Sequence, residues 1–206
     1  MTLPAKRKAI EELEEAIDVG SVDIDFDFFD IAKNDKETIL FHMYRFMPNP
    51  EEITDLIMES KIGTLIKVDD EILGIITAIP VKSLPTGLLP TELGHIKDNT
   101  SLIVYERLIN MPWQTSIPMY NMLLDDKKLK NVKDFILLAR CDQSQVQKKE
   151  KKRAKTVTDY VFCEDEVLFE NIESKAYFTY KKEGRLFGKL TRSALVENLV
   201  NIEKKQ

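Results

Sequence analysis

The sequence predicts an α/β protein with one mixed sheet. Three observations carry that prediction. Ser101 to Asp126 reads as a core strand, a proline-rich elbow and a helix. Thr64 to Val68, Asp69-Asp70 and Glu71 to Ile79 read as a β-hairpin closed by Pro80. The whole order is strand, two helices, hairpin, strand, helix, strand, strand, helix, which belongs to the α/β class. A chain of 206 residues, 43% hydrophobic and 32% charged, is long enough to bury one sizeable core.

In chain order, residues 1–20 form an acidic N-terminal segment, either a marginal surface helix or a frayed tail. Its stripe of Ile10, Leu13 and Ile17 is narrow. Val22 to Phe28 alternates strictly, so Val22, Ile24, Phe26 and Phe28 should face a core while Asp23, Asp25 and Asp27 face outward. A helix follows from Asn34 or Asp35 to Met47, with Ile39, Leu40, Met43 and Phe46 on one side. Asn49-Pro50-Glu51-Glu52 offers an N-cap, a first-turn proline and a capping-box acid. The helix it opens turns Ile53, Leu56 and Ile57 inward and should stop at Gly63.

Val81 to Thr100 holds Pro85, Gly87, Pro90 and Gly94 and reads as a linker with a short helix near Leu89 to Ile96. In the central segment, Ser101 to Ile109 is a buried strand that Pro112 should stop near Asn110. Ser116 is a good N-cap for the next helix, which should end at Asp125-Asp126-Lys127. Asn131 to Arg140 is another buried strand. Thr156 to Glu173 reads as a short strand and a helical turn, Ala176 to Lys181 as a strand and Gly184 as a turn. A helix over Thr191 to Glu203, with Leu195, Leu199 and Ile202 inward, ends the fold.

Charge is laid out unevenly within a net −5. Nine acids and no Lys or Arg lie between Ala9 and Asp30. Lys148 to Lys155, KKEKKRAK, carries six bases and one acid on a loop placed at 147–156. Lys148, Lys149, Lys151, Lys152, Arg153 and Lys155 fit a nuclear localisation segment. A plain solvated loop and a phosphate-binding patch are the competing readings, but no aromatic residue interleaves the bases as a single-strand groove would need. No apolar run approaches the ~20 residues of a membrane span, and the start lacks the apolar stretch of a signal peptide, so an intracellular protein without a membrane role is expected. Cys141 and Cys163 have no metal spacing, and reduced thiols are expected. His42 and His95 are the only histidines, and neither has a metal-ligand partner at a suitable spacing. Glu106 and Arg107 fall on opposite strand faces, where each should anchor a neighbouring element through an ion pair. Trp113, beside Met111 and Met119, is a core residue or a partner-binding anchor.

Four stretches resemble the BCCIP family. SLIVYERLINMPWQTSIPMYNML (101–123) fits the family's GLLxxERxINxPxQxxxPMYxxL at Glu106, Arg107, Asn110, Pro112, Gln114, Pro118, Met119 and Tyr120. VDIDFDFFDI (22–31), EEITDLIMESKIGTLIK (51–67) and EDEVLFENIESKAYFTY (164–180) agree with further family segments, although Ile31 replaces a proline. The resemblance implies a sheet like that of the acyl-CoA N-acyltransferases (GNAT-like) over 21–206. It further implies a nuclear, non-enzymatic escort for a basic large-subunit ribosomal protein of the universal L-fourteen class, with nuclear transport factors as further partners. Working acetyltransferases of that fold place a glycine-rich turn after the central strand to hold the CoA diphosphate. Here Asn110 to Pro118 has no glycine and two prolines, so no cofactor and no catalytic residue are expected. Asp23, Asp25, Asp27 and Trp113 are the candidate partner-binding residues. The alternatives are a residual acyl-CoA-dependent N-acetyltransferase and an RNA-binding protein using the basic loop.

Overall fold

The computed structural model describes residues 26–68, 71–147 and 154–204. They form one mixed sheet in the order β1-β2-β3-β4-β5-β8-β7, with β6 paired to the far half of β5. The strands are β1 (Asp27–Asp30), β2 (Thr64–Val68), β3 (Glu71–Pro80), β4 (Thr100–Arg107), β5 (Asp134–Gln147), β6 (Ala154–Tyr160), β7 (Ser174–Tyr180) and β8 (Glu183–Thr191). The helices are α1 (Lys36–Phe46), α2 (Pro50–Ser60), α3 (Ser116–Asp125), α4 (Cys163–Leu168) and α5 (Arg192–Lys204). Every neighbour is antiparallel except β4 and β5, which run parallel only from Thr100–Ile103 against Asp134–Leu137. Beyond that register they have no further pairing, as in a GNAT-like sheet.

Helices cover both faces. Ile66, Ile76, Ile103, Phe135 and Leu137 pack with residues of α3, α4 and α5. Leu65, Ile75, Leu102, Val104 and Ile136 pack with residues of α1 and α2. All eight residues of β4 are buried, which is why its sequence is a continuous apolar run rather than an alternation.

The expected hairpin at 64–79, the helix near 116–125 and the last helix with Leu195, Leu199 and Ile202 buried are all present. Other boundaries move. Of the strand expected at 22–28, residues 22–25 lie outside the described residues, and β1 runs instead over Asp27–Asp30. Phe28 in it and Phe26 just before it face inward and pack against the core, but only half-buried, because this is an outer strand. Asn49 makes no side-chain cap; it sits at φ 54, a turn that Asn tolerates. Helix α2 ends at Ser60, before Gly63. Gly63 is needed for another reason: a Cβ there would meet the Ile76 carbonyl oxygen at 2.1 Å. Near 89–96 there is only a 3-10 turn, Thr91–Leu93. Strand β4 stops at Arg107, leaving Ile109 65% exposed, and Ser116 lies inside α3, buried, with Thr115 at the cap position.

The largest correction is β8, where the sequence predicts no strand. Gly184, expected in a turn, lies in this strand, where a Cβ would meet the Cys141 carbonyl at 2.0 Å. Tyr180 pairs with Glu183, so the turn is Lys181-Lys182, both at positive φ (49 and 70). That matches a type I′ hairpin turn, normally written Asn-Gly. Lys181 Nζ donates to Tyr44 O at 2.6 Å and lies 5.4 Å from the Tyr44 and Tyr180 rings, tying the hairpin to α1. Lys182 has no such tie among the described residues. Lys182→Gly should therefore stabilise the fold by about 1 kcal/mol, read by urea denaturation, by removing a side chain from a left-handed conformation.

Candidate functional site

Where β4 and β5 part, charged side chains form ion pairs on both faces of the sheet. Glu106 and Arg107, adjacent on β4, point to opposite sides and pair with different elements, as their alternation predicted. On one face Arg107 makes a bidentate pair with Glu164 at the start of α4, Nε to Oε1 at 2.8 Å and Nη2 to Oε2 at 2.9 Å. Its Nη1 donates to Met111 O and Leu108 O at 2.8 and 3.2 Å, and its plane lies 4.4 Å from the Phe162 ring. Tyr105 OH donates to the same Glu164 Oε1 at 3.0 Å. Burial opposes the Arg107 charge, but Glu164 and Tyr105 together outweigh it and its pKa rises. The neighbouring Asp165 is held well above the ordinary carboxyl range by burial and by Glu164.

On the other face Glu106 Oε1 accepts from Arg140 Nη1 at 2.8 Å. Arg140 also reaches Glu183, which bridges to Arg185. Burial raises the Glu106 pKa against the pull of Arg140. Arg185 is fully buried and donates to Phe46 O and Arg45 O, the last carbonyls of α1. Partners separated by 57 and 34 residues leave no local sequence signal, so Glu164, Arg140 and Arg185 are not legible in the sequence.

The elbow after β4 presents little to an anion. The amides of Leu108, Met111, Thr115 and Ser116 donate to Leu73, Leu108, Pro112 and Trp113 carbonyls. Pro112 and Pro118 have no N–H. With the nearest guanidinium spent on Glu164, these residues do not fit the cradle of a CoA diphosphate.

Of the candidate residues, Asp27 is exposed on β1, while Asp23 and Asp25 lie outside the described residues. Trp113 is half-buried; it packs on the core and lines a cavity of about 130 Å³ with Cys163, Glu164, Val167 and Ile202. Lys148, Lys149, Lys151, Lys152 and Arg153 lie outside the described residues. The loop expected at 147–156 is narrower, because Gln147 ends β5 and Lys155 pairs within β6 with Val146. His42 is buried with Nε2 3.3 Å from Ile72 O, and His95 is exposed. Both cysteines are free, and burial pushes the Cys141 thiol up to about 12. Among the described residues no His, Cys, Asp or Glu group could hold a metal, and no helix is long and apolar enough to cross a membrane.

Fold and site thus define a GNAT-like domain with buried ion pairs where its central strands part. The BCCIP family model matches residues 82–183. Protein BCP1 of Yarrowia lipolytica is 28% identical over 210 residues, covering 79% of this chain and 70% of the relative. Protein BCP1 of Gibberella zeae is 26% identical over 214 residues, covering 82% and 75%. The crystal structure of BCP1 from Saccharomyces cerevisiae shares the fold at TM-score 0.63, with 20% identity over 91% of this chain and 92% of that one. The chain is thus similar to the BCCIP family in sequence and in fold.

Proposed function

We propose that this protein is a non-enzymatic nuclear escort that holds a basic large-subunit ribosomal protein, of the universal L-fourteen class, during ribosome biogenesis and export. The likeness to the BCCIP family supports a binding role, and the elbow after β4, whose amides are engaged with carbonyls, supports the absence of acyl-CoA chemistry. The observation that carries the escort reading is the acidic outer edge. Strand β1 ends the sheet, Asp27 and Asp30 are exposed on it, and Asp23 and Asp25 precede it in sequence. An acidic edge can stand in for rRNA phosphates toward a basic client, steering association and screening it from other polyanions.

Changing Asp23, Asp25 and Asp27 together to Asn should slow association with the purified ribosomal protein and flatten the salt dependence of binding, while folding stability stays level. Equal affinities and equal salt slopes for both forms would overturn the reading. The nuclear address is assigned to the six bases from Lys148 to Lys155. Replacing them with Ser should move a fluorescent fusion from nucleus to cytoplasm, and unchanged nuclear accumulation would remove that assignment.

A further inference from the structure

Apolar side chains stand exposed where the carboxyl half of α1 meets the elbow after β4. Phe41 and Tyr44 on α1 are 61% and 42% exposed, and Ile109 on the elbow is 65% exposed. Arg45 joins them into one patch, because it shares a helix face with Phe41 and lines the same cleft as Ile109 and Asn110. Lys181 extends the patch, since its Nζ donates to Tyr44 O and lies 5.4 Å from the Tyr44 ring. Large apolar groups gathered in this way, rather than scattered singly, mark a docking surface.

The charge of the patch narrows what covers it. Arg45, Lys181 and Lys182 are exposed, and none of them has an ion-pair partner among the described residues. The acids close by are already engaged: Glu51 by Tyr44 OH, Glu106 by Arg140 and Glu183 by Arg140 and Arg185. The patch therefore suits an occupant that is apolar and acidic together. One is present in the chain itself. Residues 1–25 lie outside the described residues, and within them Ile10, Leu13 and Ile17 recur at helical spacing among Glu11, Glu12, Glu14, Glu15 and Asp18.

The sheet register brings that segment within reach. Asp27 pairs with Lys67, Lys67 with Ile72, and Leu108 N donates to Leu73 O, so β1 starts at the sheet end where Ile109 lies. His42 Nε2, 3.3 Å from Ile72 O, sets the carboxyl half of α1 over the same end. Strands β1 and β4 are three spacings apart, about 14 Å, whereas residues 18–25 fully extended reach about 27 Å. We infer that residues 10–18 cover the patch as an amphipathic helix. Ile10, Leu13 and Ile17 pack on Phe41, Tyr44 and Ile109, and the acids lie toward Arg45, Lys181 and Lys182. So short a helix is marginal alone, and the patch supplies the packing that orders it. The tether holds the segment at a millimolar local concentration, which populates a contact too weak to retain a separate peptide. Asp23, Asp25 and Asp27 lie outside the covering segment, so this cap stands or falls independently of the escort reading.

The test uses the full chain labelled with ¹⁵N, with Ile10, Leu13 and Ile17 changed together to Ser and Trp113 fluorescence checking that the variant is folded. The change should shift the amides of Tyr44, Arg45, Ile109 and Asn110 and leave those of Leu195 and Leu199 in place. Arg45→Glu, at an exposed side chain, should in turn move the amides of residues 10–18. A synthetic peptide of residues 9–19, added to the triple variant, should return the patch amides toward their original positions, saturably and with a midpoint of about a millimolar. Raising salt from about 0.05 to about 0.5 M should weaken that binding at least about threefold. Patch amides identical in the original chain and the triple variant would overturn the inference. So would a peptide that binds no better than the same peptide with Ser at positions 10, 13 and 17. Patch shifts that grow with protein concentration, alongside a rising sedimentation mass, would name a second copy as the occupant and overturn it too.

Discussion

Glu164→Ala should lower folding stability by about 3–5 kcal/mol, the largest loss expected from a single side chain here. The cause is not the strength of the lost pair. Removing the carboxylate leaves Arg107, 5% exposed, charged and unpaired inside the protein, and leaves Tyr105 OH without its acceptor. Glu164→Gln keeps size and most hydrogen bonds and should lose less. Replacing both partners by apolar residues of similar volume, Arg107→Met with Glu164→Leu, should recover most of the loss, since a buried pair seldom outperforms good packing. Trp113 is the protein's only tryptophan and lines the same cavity as Glu164, so its fluorescence in urea reports the unfolding directly. Independent, additive effects of the two single changes in a double-mutant cycle would show that the pair is not coupled.

Arg185→Met should cost about 3 kcal/mol or more, because it strips donors from two helix-end carbonyls, the buried Phe46 O and the part-buried Arg45 O. Helix α1 is closed at its carboxyl end by this guanidinium from a strand 139 residues away. Burial lowers the Arg185 pKa, and Glu183 offsets part of that. Lysine should not rescue the variant, because one ammonium cannot reproduce a planar fork aimed at two carbonyls. The loss should be local before it is global. Hydrogen exchange should quicken at the last turn of α1 and in the β7–β8 hairpin ahead of β4. Unchanged protection at α1 would show that its end is held some other way.

Several elements were legible because their signals are local. The 64–79 hairpin carries alternating and continuous apolar runs around a polar dipeptide. The last helix shows Leu195, Leu199 and Ile202 at helical spacing, and all three are buried. Strand β8 failed on the same criterion: Arg185, Gly188 and Lys189 interrupt RLFGKLT, and its turn lacks the Asn-Gly that a type I′ hairpin prefers. Its place beside β5 is set by pairing with Asp134–Arg140, about fifty residues earlier, which no window of sequence contains.

The same division runs through the site. Alternation alone determined that Glu106 and Arg107 face opposite ways, because side chains on a strand have a period of two. The prolines alone determined that the elbow lacks donors, because proline has no N–H. Only the tertiary structure decided which groups answer those two charges: Glu164 through the fold of α4 onto β4, and Arg140 through the parting of β4 from β5. It also decided that Glu106 Oε2 and Arg140 Nε are buried without a hydrogen-bond partner among the described residues. Ion pairs and unmatched atoms between distant segments depend on distances of a few ångströms, set by how helices and strands pack. Period and composition fix which way a side chain points, but packing fixes what it meets.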